Sequence, residues 1–405
     1  MKAAKFQKLN IITLTVTHFL WGFVNFVFMI QIQPYLLSIY GTTTESAQIL
    51  GVILSIGNFS AVFPLLMAFI ADFYGRKKVI IFGQILSILG LICLSTSVFN
   101  ILMLLGIIAF NLGIGFYDAP LQGIIYESSI EEKRGFAFSI VYNSGYIAGI
   151  FASLAIQEGN NSFISFFQIG LLLIIIASLL NILALRDVYP NSKKINFPII
   201  KIFKDPISRL TAFTFAIDAF IWGLPLSIAN GIFIILFGVD VAFIASLTLI
   251  ETIVLVLLAN PAGMLVDRFG KVLGLICGEV IGFMWLFFIL AAITMPSMAP
   301  HFLLIAYAFL GAVVAFWRPS VTLSFISIDP SAATTNFGLL AFFQRLGRVP
   351  AAAVAGFLFT FLGFPPLLFI TFFGTLIIIG VFIYMDKANK KENIINMNDT
   401  HRNSF

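Results

Sequence analysis

Seven ionisable side chains stand inside otherwise apolar stretches of this chain: Asp118, Asp218, Glu251 and Glu279, with Arg318, Arg345 and Arg348. A carboxyl group in apolar surroundings can hold and release a proton, and an arginine presents a fixed fork of donors to an anion. Groups that would break bonds are missing. There is no His-Glu-x-x-His, no Gly-x-Ser-x-Gly and no phosphate-binding P-loop, so neither a membrane hydrolase nor an ATP-driven machine is supported. The three histidines are far apart in sequence, so a histidine-rich metal site has no support. The chemistry on offer is binding and proton exchange; no enzyme activity, metal or cofactor is expected.

Those charges need elements that can hold them in an apolar medium. Of 405 residues, 60% are hydrophobic and 10% are charged, and the mean hydropathy is +1.05. Such a chain cannot be solvated on all sides. Apolar stretches long enough to cross a bilayer recur along nearly its whole length. Helices are expected at 10–38, 47–71, 79–97, 101–126, 136–157 and 164–185. A second set follows at 209–235, 242–265, 272–295, 302–326, 336–361 and 365–385. Continuous apolar runs such as Leu171–Leu180 exclude the alternating strands of a membrane β-barrel. Lipid leaves exposed backbone groups no partner, so helices are what remains. The first stretch follows Lys2, Lys5 and Lys8 but is too long for a signal peptide and lacks a cleavage site.

Twelve crossings with both ends inside place loops near 39–46, 98–100, 158–163, 236–241, 296–301 and 362–364 outside, and none of these carries Lys or Arg. The alternate loops hold Arg76, Lys77 and Lys78, Lys133 and Arg134, Lys193 and Lys194, Arg268 and Lys271, and Lys387. Positive charge collects on the cytoplasmic side, so both termini are expected there. The net charge of +5 is then topology and gives no reason to expect a nucleic-acid partner. The tail 386–405 is polar and is expected to be disordered.

The chain also resembles itself at a shift of about 200 residues. Phe19-Leu20-Trp21-Gly22 returns as Phe220-Ile221-Trp222-Gly223, and Gly83-Gln84 as Gly278-Glu279. Phe116-Tyr117-Asp118 returns as Phe316-Trp317-Arg318, and Asp72-x-x-Gly75 as Asp267-x-x-Gly270. Duplication of a six-helix unit accounts for these matches. The expected fold is therefore all-α and integral to the membrane, with twelve transmembrane helices in two six-helix bundles related by a pseudo-two-fold axis. The expected domains are 1–186, a cytoplasmic linker at 187–208, 209–385, and the tail.

The loop Ala68-x-x-x-Asp72-Phe73-x-Gly75-Arg76-Lys77 and its echo Gly263-x-x-x-Asp267-Arg268-Phe269-Gly270-Lys271 resemble the cytoplasmic loop motif of the major facilitator superfamily. Glu127 followed by Arg134-Gly135, and Pro34-Tyr35 at the end of the first helix, fit the same family. The resemblance implies secondary transport by alternating access. It also implies that Asp72, Gly75, Arg76, Glu127, Arg134, Gly263, Asp267, Arg268, Gly270 and Lys271 latch the halves together on the cytoplasmic side. The plainer alternative is a capped turn with topology-setting charges. Phe110 stands where the superfamily's drug–proton antiporters usually carry an arginine, and Ile150 follows Gly149 where they carry a proline. Both departures weaken a drug-antiporter reading. Gly145-x-x-x-Gly149 also permits close helix packing without any further role.

Depth follows from the helical rise. Asp118, Asp218 and Arg345 lie about 13 Å inside their helices and Arg318 about 16 Å, near the midplane, with Arg348 a turn beyond Arg345. In the family, helices 1, 4, 7 and 10 line a central cavity, and helices 2, 5, 8 and 11 complete its walls. Substrate-binding candidates are then Arg318, Arg345, Arg348, Asn25, Gln33, Gln122 and Asn143. Proton-coupling candidates are Asp118, Asp218 and Glu251. The competing reading pairs Asp118 with Arg318, and Asp218 with Arg345 or Arg348, as structural salt bridges. Glu279, on a peripheral helix, is expected to make a structural hydrogen bond. His18 and Gln31 are further polar residues on the first helix, each open to the same bland explanation.

Three arginines against two carboxylates slightly favour a small organic anion or zwitterion, carried by a monomer in the cell membrane with H+ as the coupling ion. A drug or lipophilic-compound:proton antiporter is the second expectation, and a transporter-like sensor or lipid mover the third.

Overall fold

The computed structural model describes residues 2–60, 63–96, 100–130, 134–159, 162–187, 204–326 and 333–402. Its first half contains α1 (Lys2–Tyr40), α2 (Thr44–Ser60), α3 (Pro64–Tyr74), α4 (Arg76–Thr96), α5 (Asn100–Ser128), α6 (Arg134–Glu158) and α7 (Phe163–Ala184). The second half contains α8 (Pro206–Leu226), α9 (Ala229–Phe237), α10 (Val241–Phe269), α11 (Lys271–Thr294), α12 (Ala299–Ile326), α13 (Ala333–Leu362) and α14 (Pro365–Arg402). Among the described residues, eleven helical spans are long and apolar enough to cross a membrane. α2 and α3, of 17 and 11 residues, lie outside those spans and stand where the second crossing was expected, and the described residues form an all-α membrane fold.

Two expected helices are broken, and proline explains both. The helix expected at 47–71 is interrupted where Pro64 opens α3. Proline lacks an N–H donor and is tolerated in the first turn of a helix, the position Pro64 takes in α3. The helix expected at 209–235 parts after Leu226, just beyond Pro225. Pro225 leaves the Ile221 carbonyl without its helical donor, and the Thr371 hydroxyl of α14 donates to it at 3.0 Å. Gln33 of α1 bridges the break itself: its amide nitrogen donates to the Ser227 carbonyl at 3.0 Å, and its amide oxygen accepts from Gly231 N–H at 2.8 Å. α14 also departs from expectation, continuing as helix to Arg402 instead of ending at 385. Extending a formed helix fixes one residue per hydrogen bond, so a polar run can follow without a new nucleus. The expected linker 187–208 falls mostly outside the described residues.

Within the first bundle α4 packs on α5, and α1 on α6 and α7; within the second, α11 packs on α12, and α8 on α13. Between bundles, α13 meets α2 and α3 while α10 meets α6, two contacts related by the pseudo-two-fold. On the face free of basic loops, α2 and α13 approach backbone to backbone: a Cβ on Gly51 would lie 3.1 Å from Gly356 Cα, and one on Gly356 equally close to Gln48 Cα. Ser55 donates to the Val349 carbonyl there, and its oxygen accepts from Ala353 N–H at 2.9 Å. The expected small-residue packing also appears within the first bundle, where a Cβ on Gly22 would come 2.7 Å from Gly145 Cα.

Candidate functional site: a polar layer between two bundles

The basic-face network is built from the first repeat. Gly75, at φ +100°, ends α3 with a conformation that side chains rarely adopt, and the chain turns directly into α4. That turn buries Arg76, which is 3% exposed, between Asp72 and Glu127. Arg76 Nη2 is 2.8 Å from Asp72 Oδ1, and Nη1 pairs with Glu127. The second carboxylate oxygen of Asp72 accepts from the Thr335 hydroxyl of α13 at 2.8 Å, which carries the network across to the other bundle. Asp187 joins it by accepting from Lys77 N–H at 2.7 Å. The side chain of Arg134 lies outside the described residues. The echo of the loop is different. Gly270 repeats the turn at φ +94°, yet Asp267 and Arg268 are exposed and make no hydrogen bond or ion pair among the described residues, and a Cβ on Gly263 would meet nothing.

Between the two closed faces lies a layer of polar groups. Arg318 of α12, exposed although placed mid-helix, reaches into the first bundle. It donates to the Tyr146 hydroxyl and lies 4.5 Å from the ring centre of Tyr142 and 5.4 Å from that of Tyr146. Tyr142 and Tyr146 are one helical turn apart on α6, so both rings face the cation, a favourable placement for a guanidinium. His18 packs edge-on to Tyr142 at 5.4 Å and is stacked parallel to Tyr117. Arg345 of α13 likewise crosses the divide, donating to Asn58 of α2 at 3.2 Å. Asp118 is half-buried within electrostatic range of Arg318 and Arg345. Arg348 is exposed and acts on Arg345, Arg318 and Asp218.

Thus Asp118, Arg318, Arg345 and Arg348 come together. Among the described residues the ion pairs are those of Arg76, and none joins a mid-membrane arginine to a carboxylate. The other candidates scatter. Gln33 is committed to the α8–α9 break. Asn143 donates to Ser139, whose hydroxyl reaches Asn260 of α10 at 3.4 Å. Asn25 leans on Met29, and Gln122 is half-buried on α5. Glu251 sits apart from the layer beside Tyr307, whose hydroxyl donates to Asn230. Asp218 is 2% exposed and meets Glu279 and Trp317. Sequence reasoning passed over Tyr142, Tyr146 and Asn58. The spacing of the two tyrosines around Asn143, and a lone asparagine in an apolar helix, were the available signals.

The sequence profile of the Major Facilitator Superfamily matches residues 14–229, more than half of the chain. The chain belongs to that superfamily. It is a multi-pass membrane transporter of this type, and the latch-loop resemblance and the fold agree with it. No curated protein matches the chain in sequence. Solved structures with the same architecture include the human organic anion transporter MFSD10 (TETRAN), 13% identical with a TM-score of 0.71 over 93% of this chain and 99% of that one. The nucleoside transporter NupG is 15% identical, with a TM-score of 0.70 over 93% and 99%. A peptide transporter POT in complex with sulfate is 13% identical, with a TM-score of 0.72 over 93% and 94%. At these identities the likeness is one of fold.

Proposed function

We propose that this superfamily member carries a small organic anion or zwitterion across the cell membrane by alternating access, driven by coupled protons. The moving bodies are 1–186 and 209–385, joined by 187–208, with both termini cytoplasmic. One observation carries the anion reading: Arg318 and Arg345 both span the divide between bundles, held by neutral tyrosine and asparagine partners, with no carboxylate in ion-pair contact among the described residues. A guanidinium so placed keeps donors for a guest, and a guest carboxylate would contact both halves at once. Asp118 beside them can hold a proton and tune the charge of the layer.

The test is uptake by full-length protein in proteoliposomes with an inward proton gradient, using lactate, benzoate, glutamate, dialanine, uridine and tetraphenylphosphonium. Uptake of one or more of the carboxylate-bearing compounds is expected. Transport confined to tetraphenylphosphonium would favour the lipophilic-compound antiporter and reject the anion reading. Transport of none, with lipid movement between leaflets, would favour the lipid mover.

A further inference from the structure

A second ionisable cluster lies away from the polar layer, inside the second bundle. Asp218 of α8 and Glu279 of α11, 2% and 1% exposed, have their carboxyl groups in hydrogen-bonding contact. Trp222 Nε1 donates to Glu279 Oε2 at 2.7 Å, and Trp317 of α12 reaches both carboxyls. Asp218 Oδ1 has no hydrogen-bond partner among the described residues. Among the described residues, Arg348 of α13 is the cation acting on Asp218, α12 contributes the uncharged Trp317, and no charged group of α14 acts on either carboxyl. Two carboxylates cannot touch in a water-poor interior while both are ionised, so one proton must sit between them.

The internal repeat supplies a control. The positions equivalent to Asp218, Trp222, Glu279 and Trp317 in the first half are Thr17, Trp21, Gln84 and Tyr117. There Tyr117 stacks on Trp21 with centroids 4.3 Å apart, and its hydroxyl lies 3.5 Å from His18 Nδ1. The same framework is thus built from neutral side chains in one bundle and carries two carboxyls in the other. Packing alone does not call for the acids.

We infer that Asp218 and Glu279 form a one-proton carboxyl pair which loads and releases the coupling proton, separate from the anion-binding layer and linked to it through Arg348. When the pair is singly ionised, Arg348 has a counter-charge in the second bundle. When the pair takes up a second proton, Arg348 is released toward Arg345, Arg318 and a guest anion. The loading role rests on the proton-coupled reading above; the shared proton does not.

Infrared pH titration of the full-length protein in liposomes, following the protonated-carboxyl C=O stretch, tests the shared proton without any substrate. In both Asp218→Asn and Glu279→Gln the midpoint of that band should fall by about one pH unit or more, because a like charge in the same site no longer holds the proton on. Glu279→Gln keeps an acceptor for Trp222, which favours folding. An unchanged midpoint in either variant overturns the pair. The loading role is read in vesicles containing pyranine with glutamate or lactate outside. Solute-driven proton entry in wild type that is lost in Glu279→Gln, while solute exchange without a gradient persists, supports it. Solute uptake without proton entry in wild type rejects coupling and the loading role, whatever the infrared result.

Discussion

The Thr335 hydroxyl makes a hydrogen bond between the two bundles on the basic face, and its removal has a calculable effect. Thr335→Val deletes the 2.8 Å bond to Asp72 Oδ2 and changes little else, because valine has the same shape and the residue is 7% exposed. Arg76 keeps both of its carboxylates, so the first bundle is not disturbed. A hydrogen bond to a charged group contributes about 1.5–3 kcal/mol. The Asp72 side chain is 23% exposed, so water recovers part of that when the bond opens. A net effect of about 1–2 kcal/mol corresponds to a shift of about 5- to 30-fold in a two-state opening equilibrium. Spin labels or fluorophores on the basic-face ends of α3 and α13 should report more separation between bundles, with thermal stability nearly unchanged. An unaltered distance distribution would refute the idea that this bond closes the face.

Further outcomes follow from the same geometry. Asp72→Asn should slow turnover more than Asp267→Asn, measured as transport rate at equal expression, since Asp72 bridges the bundles and Asp267 is exposed here. Gln33→Leu leaves a buried N–H and a carbonyl unpaired at the α8–α9 break and should cost about 2 kcal/mol, read as a lowered melting temperature. Gly51→Leu should keep the face free of basic loops open, seen as faster labelling of a cysteine placed at Ser55, because no side chain fits between α2 and α13. A single cysteine at Thr43 should be labelled from outside and one at Ser192 from inside; the reverse would overturn the topology.

Much of the fold was legible because membranes impose a strong code. Apolar length marks each crossing, Lys and Arg mark one face, and a duplicated Asp-x-x-Gly turn marks the repeat. The breaks at Pro64 and Pro225 were visible as prolines, but whether a proline kinks or parts a helix depends on what receives the freed carbonyl. Thr371 and Gln33, remote in sequence, decide that for α8. The charged residues of the central layer could be ranked by depth, yet their partners could not. Asp118 and Arg318 are repeat-equivalents, which suggested a salt bridge, whereas the long Arg318 side chain reaches Tyr142 and Tyr146 of α6 in the other bundle. Glu279 was read as a peripheral hydrogen-bonding residue, and it does accept from Trp222. Its meeting with Asp218 is made by side chains reaching between α8 and α11, as Trp222 does, which no spacing rule gives.

The central claim is that Arg318 and Arg345 bind the anionic group of the substrate. The direct measurement is ligand affinity and thermal stability together, on purified Arg318→Gln and Arg345→Gln, using the carboxylate that the uptake panel identifies. Each substitution should abolish measurable binding while leaving the melting temperature close to that of wild type, because neither arginine is in ion-pair contact with a carboxylate among the described residues. Unchanged affinity with a large loss of stability, restored when Asp118 is also changed to Asn, would show instead that the arginines neutralise the protein's own buried acids.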